Sequence, residues 1–172
     1  FNANKRISIN YNGNTRQPSI QQIQPVADNT NPLLVQLGNA NLKQEFSHRI
    51  NLNMNNYQVL KNRGYWIGMN YGFTDKAIGN NRTTDTIGKT VTQYVNVNGN
   101  NYYGANIGFN AKFEKLGIDY NIGYSFNGNN GVSFVNGLKN TTKTNRHGIN
   151  FGMNKEKEKV YNFYMWSNFS YN

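Results

Sequence analysis

The chain has no cysteine. That excludes a disulfide framework, a thiol nucleophile and thiolate metal sites. Proline is scarce, at 3 residues in 172, while aromatics reach 14%, a balance that favours strands over disorder. No apolar run approaches the ~20 residues of a membrane helix. Acidic residues are also few, 8 against 18 Lys plus Arg, giving +10. Such an excess invites a nucleic-acid partner, but the positions argue against one. Lys61, Arg63, Lys115, Lys155, Lys157 and Lys159 fall around short turns, and Lys76, Arg82, Lys89, Lys139, Lys143 and Arg146 in or beside long loops. Charge spread over both ends of a sheet is a solvated rim rather than a phosphate track, and at a membrane it would meet head groups. The two histidines, His48 and His147, lack ligand spacing, so no metal or cofactor is expected.

What the chain does have is alternation. Tyr65, Ile67, Met69, Tyr71 and Phe73 alternate with Gly68, Asn70, Gly72 and Thr74, and Ile118, Tyr120, Ile122, Tyr124 and Phe126 with Asp119, Asn121, Gly123 and Ser125. A strand sends successive side chains to opposite faces, so each segment has one greasy and one wet, uncrowded face. Seven such strands are expected, at 4–12, 46–59, 64–75, 101–113, 117–127, 144–154 and 159–171. Most exceed the ~5–6 residues of a globular strand and match the ~9–11 that cross a bilayer at a tilt. The low mean hydropathy is compatible, because only every second residue of such a strand meets lipid.

The connections alternate too. Leu60–Arg63, Glu114–Leu116 and Lys155–Glu158 are short polar turns, whereas 13–45, 76–100 and 128–143 are long. Outer-membrane barrels have short periplasmic turns and longer extracellular loops. In the first long loop, Pro18 followed by Ser19-Ile20-Gln21-Gln22-Ile23 predicts a helical turn ended at Gln24-Pro25, while Asp28-Asn29 and Asn31-Pro32 are turn signals. Gly13-Asn14 and Gly128-Asn129-Asn130-Gly131 also read as turns, not phosphate cradles, since no GK[ST] follows. The fold class is therefore all-β, an antiparallel up-and-down meander of about seven long strands forming part of a transmembrane β-barrel. Residues 1–172 are expected to form a single segment of it, with no plug domain and no leader peptide, and to be a piece of something longer.

Arg16-Gln17-Pro18-Ser19-Ile20, then Gln24-Pro25, Asn31-Pro32 and Gly38-Asn39-Ala40-Asn41-Leu42-Lys43-Gln44-Glu45 resemble a pattern in TonB-dependent outer-membrane receptors of the Bacteroidetes type. There an Arg-x-Pro-Ser segment follows one strand and a Gly-Asn-Pro-x-Leu-x-Pro-Glu segment opens the next; this chain has Ala40 and Gln44 where those prolines stand. Tyr94–Asn100 and Ser133–Gly137 are similar to later segments of the same family. The resemblance implies a barrel of about twenty-two strands plugged by an N-terminal domain, substrate bound at loops and plug, and energy delivered through a TonB contact on the plug. TonB would thus be reached only through a plug not recognisable here, and seven strands are too few and odd in number to close a bacterial barrel. The expected partners are outer-membrane lipid and the remaining strands and plug of a parent protein, and the expected location is the bacterial outer membrane.

Candidate substrate contacts lie in the long loops: Arg16, Arg82, Asn129, Asn130 and Lys139. Ile67, Met69, Tyr71, Ile107, Phe109, Ile122, Tyr124, Phe151 and Phe163 are expected to face lipid. Aromatics near strand ends suggest girdles at the membrane–water boundary. Asp119 sits mid-strand on the polar face, where pairing with Lys112 or Arg49 is expected; no acid–base partner makes it catalytic, and an enzyme is not expected. Two other readings share parts of this pattern. A soluble β-sandwich with a carbohydrate-binding face would bury both Tyr120 and Ile107 against a second sheet. A non-transporting outer-membrane barrel used in secretion or adhesion would share every wall feature.

Overall fold

The computed structural model describes residues 4–25 and 28–172, and the side chains of all these except 28–30. Phe1, Asn2 and Ala3, part of the stretch read for leader features, lie outside the described residues. Seven long strands form an antiparallel wall: β1 (Lys5–Arg16), β4 (Glu45–Gln58), β5 (Arg63–Asp75), β8 (Asn100–Phe113), β9 (Ile118–Val135), β10 (Leu138–Lys157) and β11 (Tyr161–Tyr171). They pair in the order β1-β4-β5-β8-β9-β10-β11. Each of the seven strands expected from the alternation is present. The wall is open: β1 and β11 are its edges, and both run the same way, so they cannot pair antiparallel with each other.

Registry carries the face pattern across the whole sheet. Ile7, Met54, Ile67, Ile107, Tyr124, Ile149 and Phe169 stand opposite one another in a single row. The neighbouring row on the other face runs Asn53, Gly68, Asn106, Ser125, Gly148 and Ser170. A slip of one residue between any two strands would put apolar side chains among amides, so the pattern itself holds the register. No second sheet covers the apolar face among the described residues: Ile107 is 45% exposed and Ile122 49%. The sandwich expectation of buried Ile107 therefore fails.

At the lower rim the links are short. Val59–Lys61 forms one 3₁₀ turn closed by Asn62 in the left-handed region. Residues 114–117 and 158–160 make the other two turns. Lys155–Lys157, read from sequence as turn, continues β10 as strand.

The upper connections differ more from expectation. Segment 13–45 holds α1 (Ile20–Ile23), β2 (Asp28–Asn31) and β3 (Leu34–Leu37). Ser19, rather than Pro18, caps α1: its Oγ accepts from Gln22 N at 3.4 Å, and Gln22 Oε1 accepts from Ser19 N at 2.9 Å. Asp28-Asn29 lies in β2, not in a turn; the turn falls at Pro32-Leu33. Segment 76–100 is a hairpin, β6 (Ala77–Thr84) and β7 (Thr90–Val97). Segment 128–143 is strand almost throughout, because β9 and β10 climb past the wall to a two-residue turn at Asn136-Gly137. Gly13-Asn14 and Gly128–Gly131 are strand interior for the same reason, as β1 reaches Arg16 and β9 reaches Val135.

These pieces join into one cap. Above the point where β8 leaves it, at Asn101 opposite Asn130, the freed edge of β9 takes β6 in parallel through Asn81–Phe134 and Arg82–Val135. The sheet then continues β6-β7-β3-β2, with β3 parallel to β7. The buried core of the molecule lies here and not in the wall: Ala77, Val97 (3% exposed) and Val132 pack together, with Val95 and Phe134 against them.

Candidate functional site

The upper rim is built where two sequence segments clasp. Arg16 ends β1 and Glu45 begins β4, directly opposite. Arg16 Nε lies 2.6 Å from Glu45 Oε1, and Glu45 Oε2 accepts from Ile78 N at 2.9 Å. Glu45 is only 7% exposed, so its charge is offset by the guanidinium and a backbone donor. One residue further on, Gln17 Nε2 donates to Gln44 Oε1 at 2.8 Å. Gln44 thus uses the position where the resembled family has proline for an amide clasp across the loop.

Asparagine side chains lock the cap to this rim. Each amide offers a donor and an acceptor, so it can stand in for a strand neighbour. Asn96 does so: its Nδ2 donates to Lys43 O at 2.9 Å and Lys76 O at 2.7 Å, and its Oδ1 accepts from Lys43 N at 2.8 Å. Asn98 Oδ1 accepts from Lys76 N, Asn39 Nδ2 donates to Tyr94 O, and Asn100 Oδ1 accepts from Val132 N. From sequence, asparagine read as turn and polar-face filler; its bracing role needed the tertiary partners.

The five candidate contact residues share this end of the molecule but do not converge. Arg16 is held by Glu45. Asn129 and Asn130 point to opposite faces of β9; Asn130 donates to Asn101 Oδ1 at 2.8 Å, and its own Oδ1 is buried without a partner. Arg82 stands opposite Val135 on β9, whereas Lys139 stands opposite Phe134, the neighbouring residue, and so falls on the other face of the cap sheet. Arg82, Asn129 and Lys139 are exposed.

The nine residues assigned to the greasy face share one face of the wall. Ile67, Ile107 and Tyr124 stand in one row and Phe109, Ile122 and Phe151 in the next, while Met69 and Tyr71 lie opposite Ala105 and Tyr103. Phe163 stands at the lower end opposite Lys155. Near the upper rim both histidines join this face. His48 Nδ1 bonds the Tyr11 hydroxyl at 2.9 Å, and its ring stacks on Phe73 at 4.3 Å between centroids. His147 Nδ1 bonds the Tyr124 hydroxyl at 2.8 Å and packs on Phe126. Both histidines thus pack among aromatic rings on this face, and no cluster of three metal-ligating side chains exists among the described residues.

The wet face has features the sequence did not announce. Tyr102 lies across Gly72 and Trp66 across Gly108, each ring occupying the space a Cβ would need. Arg49 Nε donates to the Tyr102 hydroxyl at 2.7 Å, not to Asp119. Asp119 stands opposite Lys112, and among the described residues it forms no ion pair within 4.0 Å. Both line a lower basin of about 240 Å³ with Tyr57, Asn121, Asn154 and Tyr164.

A long antiparallel wall with one bare apolar face and one amide-glycine face agrees with the comparison to known families. Over residues 1–172 the chain matches the family model described as "Outer membrane protein beta-barrel family". The chain belongs to this outer-membrane β-barrel family. No match was found among curated proteins or among solved structures. Membership places the barrel protein in the bacterial outer membrane, and no helix among the described residues is long and apolar enough to cross a membrane. In a barrel of this family the strands are the spanning elements, because closed β-pairing satisfies every backbone group in lipid.

Proposed function

We propose that the chain supplies wall and surface loops to a TonB-dependent receptor-like transporter of the Bacteroidetes type, importing a nutrient across the outer membrane. The observation that carries this is the asymmetry of the two rims. Three short turns close one end, and at the other all three long connections fold into a braced cap. That is the arrangement of periplasmic turns and extracellular loops, with the Arg16–Gln17 and Gln44–Glu45 segments of the resembled receptors clasped at its base. In this reading the apolar face, including Ile67, Met69, Tyr71, Ile107, Phe109, Ile122, Tyr124, Phe151 and Phe163, meets lipid. Arg82, Asn129 and Lys139 present polar groups to incoming solute. The edges β1 and β11 pair with further strands, an odd number of which are needed between them to keep the barrel antiparallel. The plug, and TonB through it, act from outside residues 1–172, and the chain performs no catalysis.

The test is hydrodynamic size with and without detergent. A wall segment needs detergent and is then monodisperse. A chain that stays folded and monomeric in plain buffer would overturn the reading.

A further inference from the structure

At the lower rim four cations share the apolar side. In register below the greasy band stand Lys5, Arg63, Lys155 and Lys157, while the wet side mixes the acids Asp119 and Glu156 with the cations Arg6 and Lys112. The run Lys155-Glu156-Lys157 shows how: strand alternation sends both lysines outward and the glutamate inward. The wet-side acids line a basin with Lys112. Among the described residues, none of the four outward cations has a carboxylate within 4.0 Å.

One of these cations, Arg63, lines a cleft, and a second, Lys5, stands one strand beyond it across Asn56. Lys5 stands opposite Asn56 on β4, and Arg63 on β5 stands opposite Gln58, one pair lower. The cations are thus two strands apart and offset by two residues along them, about 12 Å between Cα atoms, with two amides between them. Arg63 Nε donates to Gln58 Oε1 at 2.9 Å, leaving the rest of the guanidinium fork free, and Asn56 Nδ2 donates to the Tyr65 hydroxyl at 3.1 Å. Above the amides a cleft of about 150 Å³ opens, lined by Asn56, Gln58, Arg63, Gly64, Tyr65 and Phe109.

We propose that this cleft is a binding site for an anionic phospholipid of the periplasmic leaflet. The phosphate sits at Arg63 beside Asn56 and Gln58, with Lys5 adding its charge from across Asn56, and the upper acyl chain lies against Tyr65 and Phe109. Charge complementarity selects the occupant: unpaired cations at the base of an apolar face match an anionic head group below its own hydrocarbon. The guanidinium suits phosphate oxygens, which it can bind through two parallel N–H donors. The proposal rests on the wall reading above.

The experiment is lipid retention by the full chain folded in detergent, read by native mass spectrometry with phosphatidylglycerol or phosphatidylcholine. Lys5→Gln/Arg63→Gln should lower phosphatidylglycerol retention by about tenfold or more, at up to about fivefold per cation near a charged lipid surface. Phosphatidylcholine retention should not change, and Arg63→Lys should keep part of the preference. The control Lys155→Gln/Lys157→Gln removes the same charge from the same side of the rim, on β10 and away from the cleft, and should leave retention intact. Equal loss in both double variants means general surface charge and overturns the site, as does no loss in either. Displacement of phosphatidylglycerol by inorganic phosphate at matched ionic strength would show a phosphate site rather than a lipid site. A chain that enters detergent without lipid preference refutes this inference alone; one that never enters detergent refutes the wall reading and the lipid site with it.

Discussion

Single residues on the wet face show why glycine and aromatics occur together here. Trp66 can lie flat only because Gly108 opposite it has no side chain, and Tyr102 uses Gly72 in the same way. Gly108→Ala would place a methyl group inside the indole, so the ring must lift toward the lumen. The expected cost is about 1–3 kcal/mol of overpacking, with a red shift of Trp66 emission as the ring gains water. Unchanged emission and unfolding midpoint would show that the ring does not rest there. The alternation marked these glycines as belonging to an uncrowded face, but the ring that fills each gap comes from another strand.

Elements were legible to different depths. The wall strands could be read because their periodicity is continuous and one-sided. The turn at Asn136-Gly137 carried a strong local signal: both residues take positive φ, 50° and 76°, as a type I′ hairpin turn requires. It lay inside a stretch read as loop, so β9 and β10 were cut short. Strands β2, β3, β6 and β7 were harder to see: β2–β3 and β6–β7 pair locally, but their place in the sheet depends on side-chain amides and on the parallel pairs β3–β7 and β6–β9. Their dependence on the rim is testable. Glu45→Ala removes the acceptor of Ile78 N and the partner of Arg16; an unpaired buried donor costs about 1–3 kcal/mol. Hydrogen exchange at Ile78 and along β6–β7 should accelerate while β5 and β8 stay protected. Equal acceleration everywhere would mean the cap and wall unfold as one unit.

For the molecule as a whole, the question is where the hydrophobic effect acts. The apolar face of the wall is bare, and the buried core is a handful of residues in the cap. In the proposed wall reading that face meets lipid rather than a second protein layer, which would also explain why the chain can be so polar. Ile122→Arg should cost about 2–4 kcal/mol if the residue lies near the midplane, measured by urea unfolding from vesicles. Asn168→Arg, on the wet face of β11, should cost far less. Equal costs would mean that the two faces see the same surroundings.

The sequence by itself determined the all-β class, the seven wall strands, their faces and the asymmetry of the rims. Each follows from period-2 alternation and turn chemistry, which act between neighbours along the chain. Only the tertiary structure decided that the long loops form one braced cap, that the candidate contact residues are spread over several faces, and that four cations of the lower rim share the apolar side, one of them at a small cleft. These depend on which strands lie side by side, and pairing partners far apart in sequence leave no periodic mark within either segment.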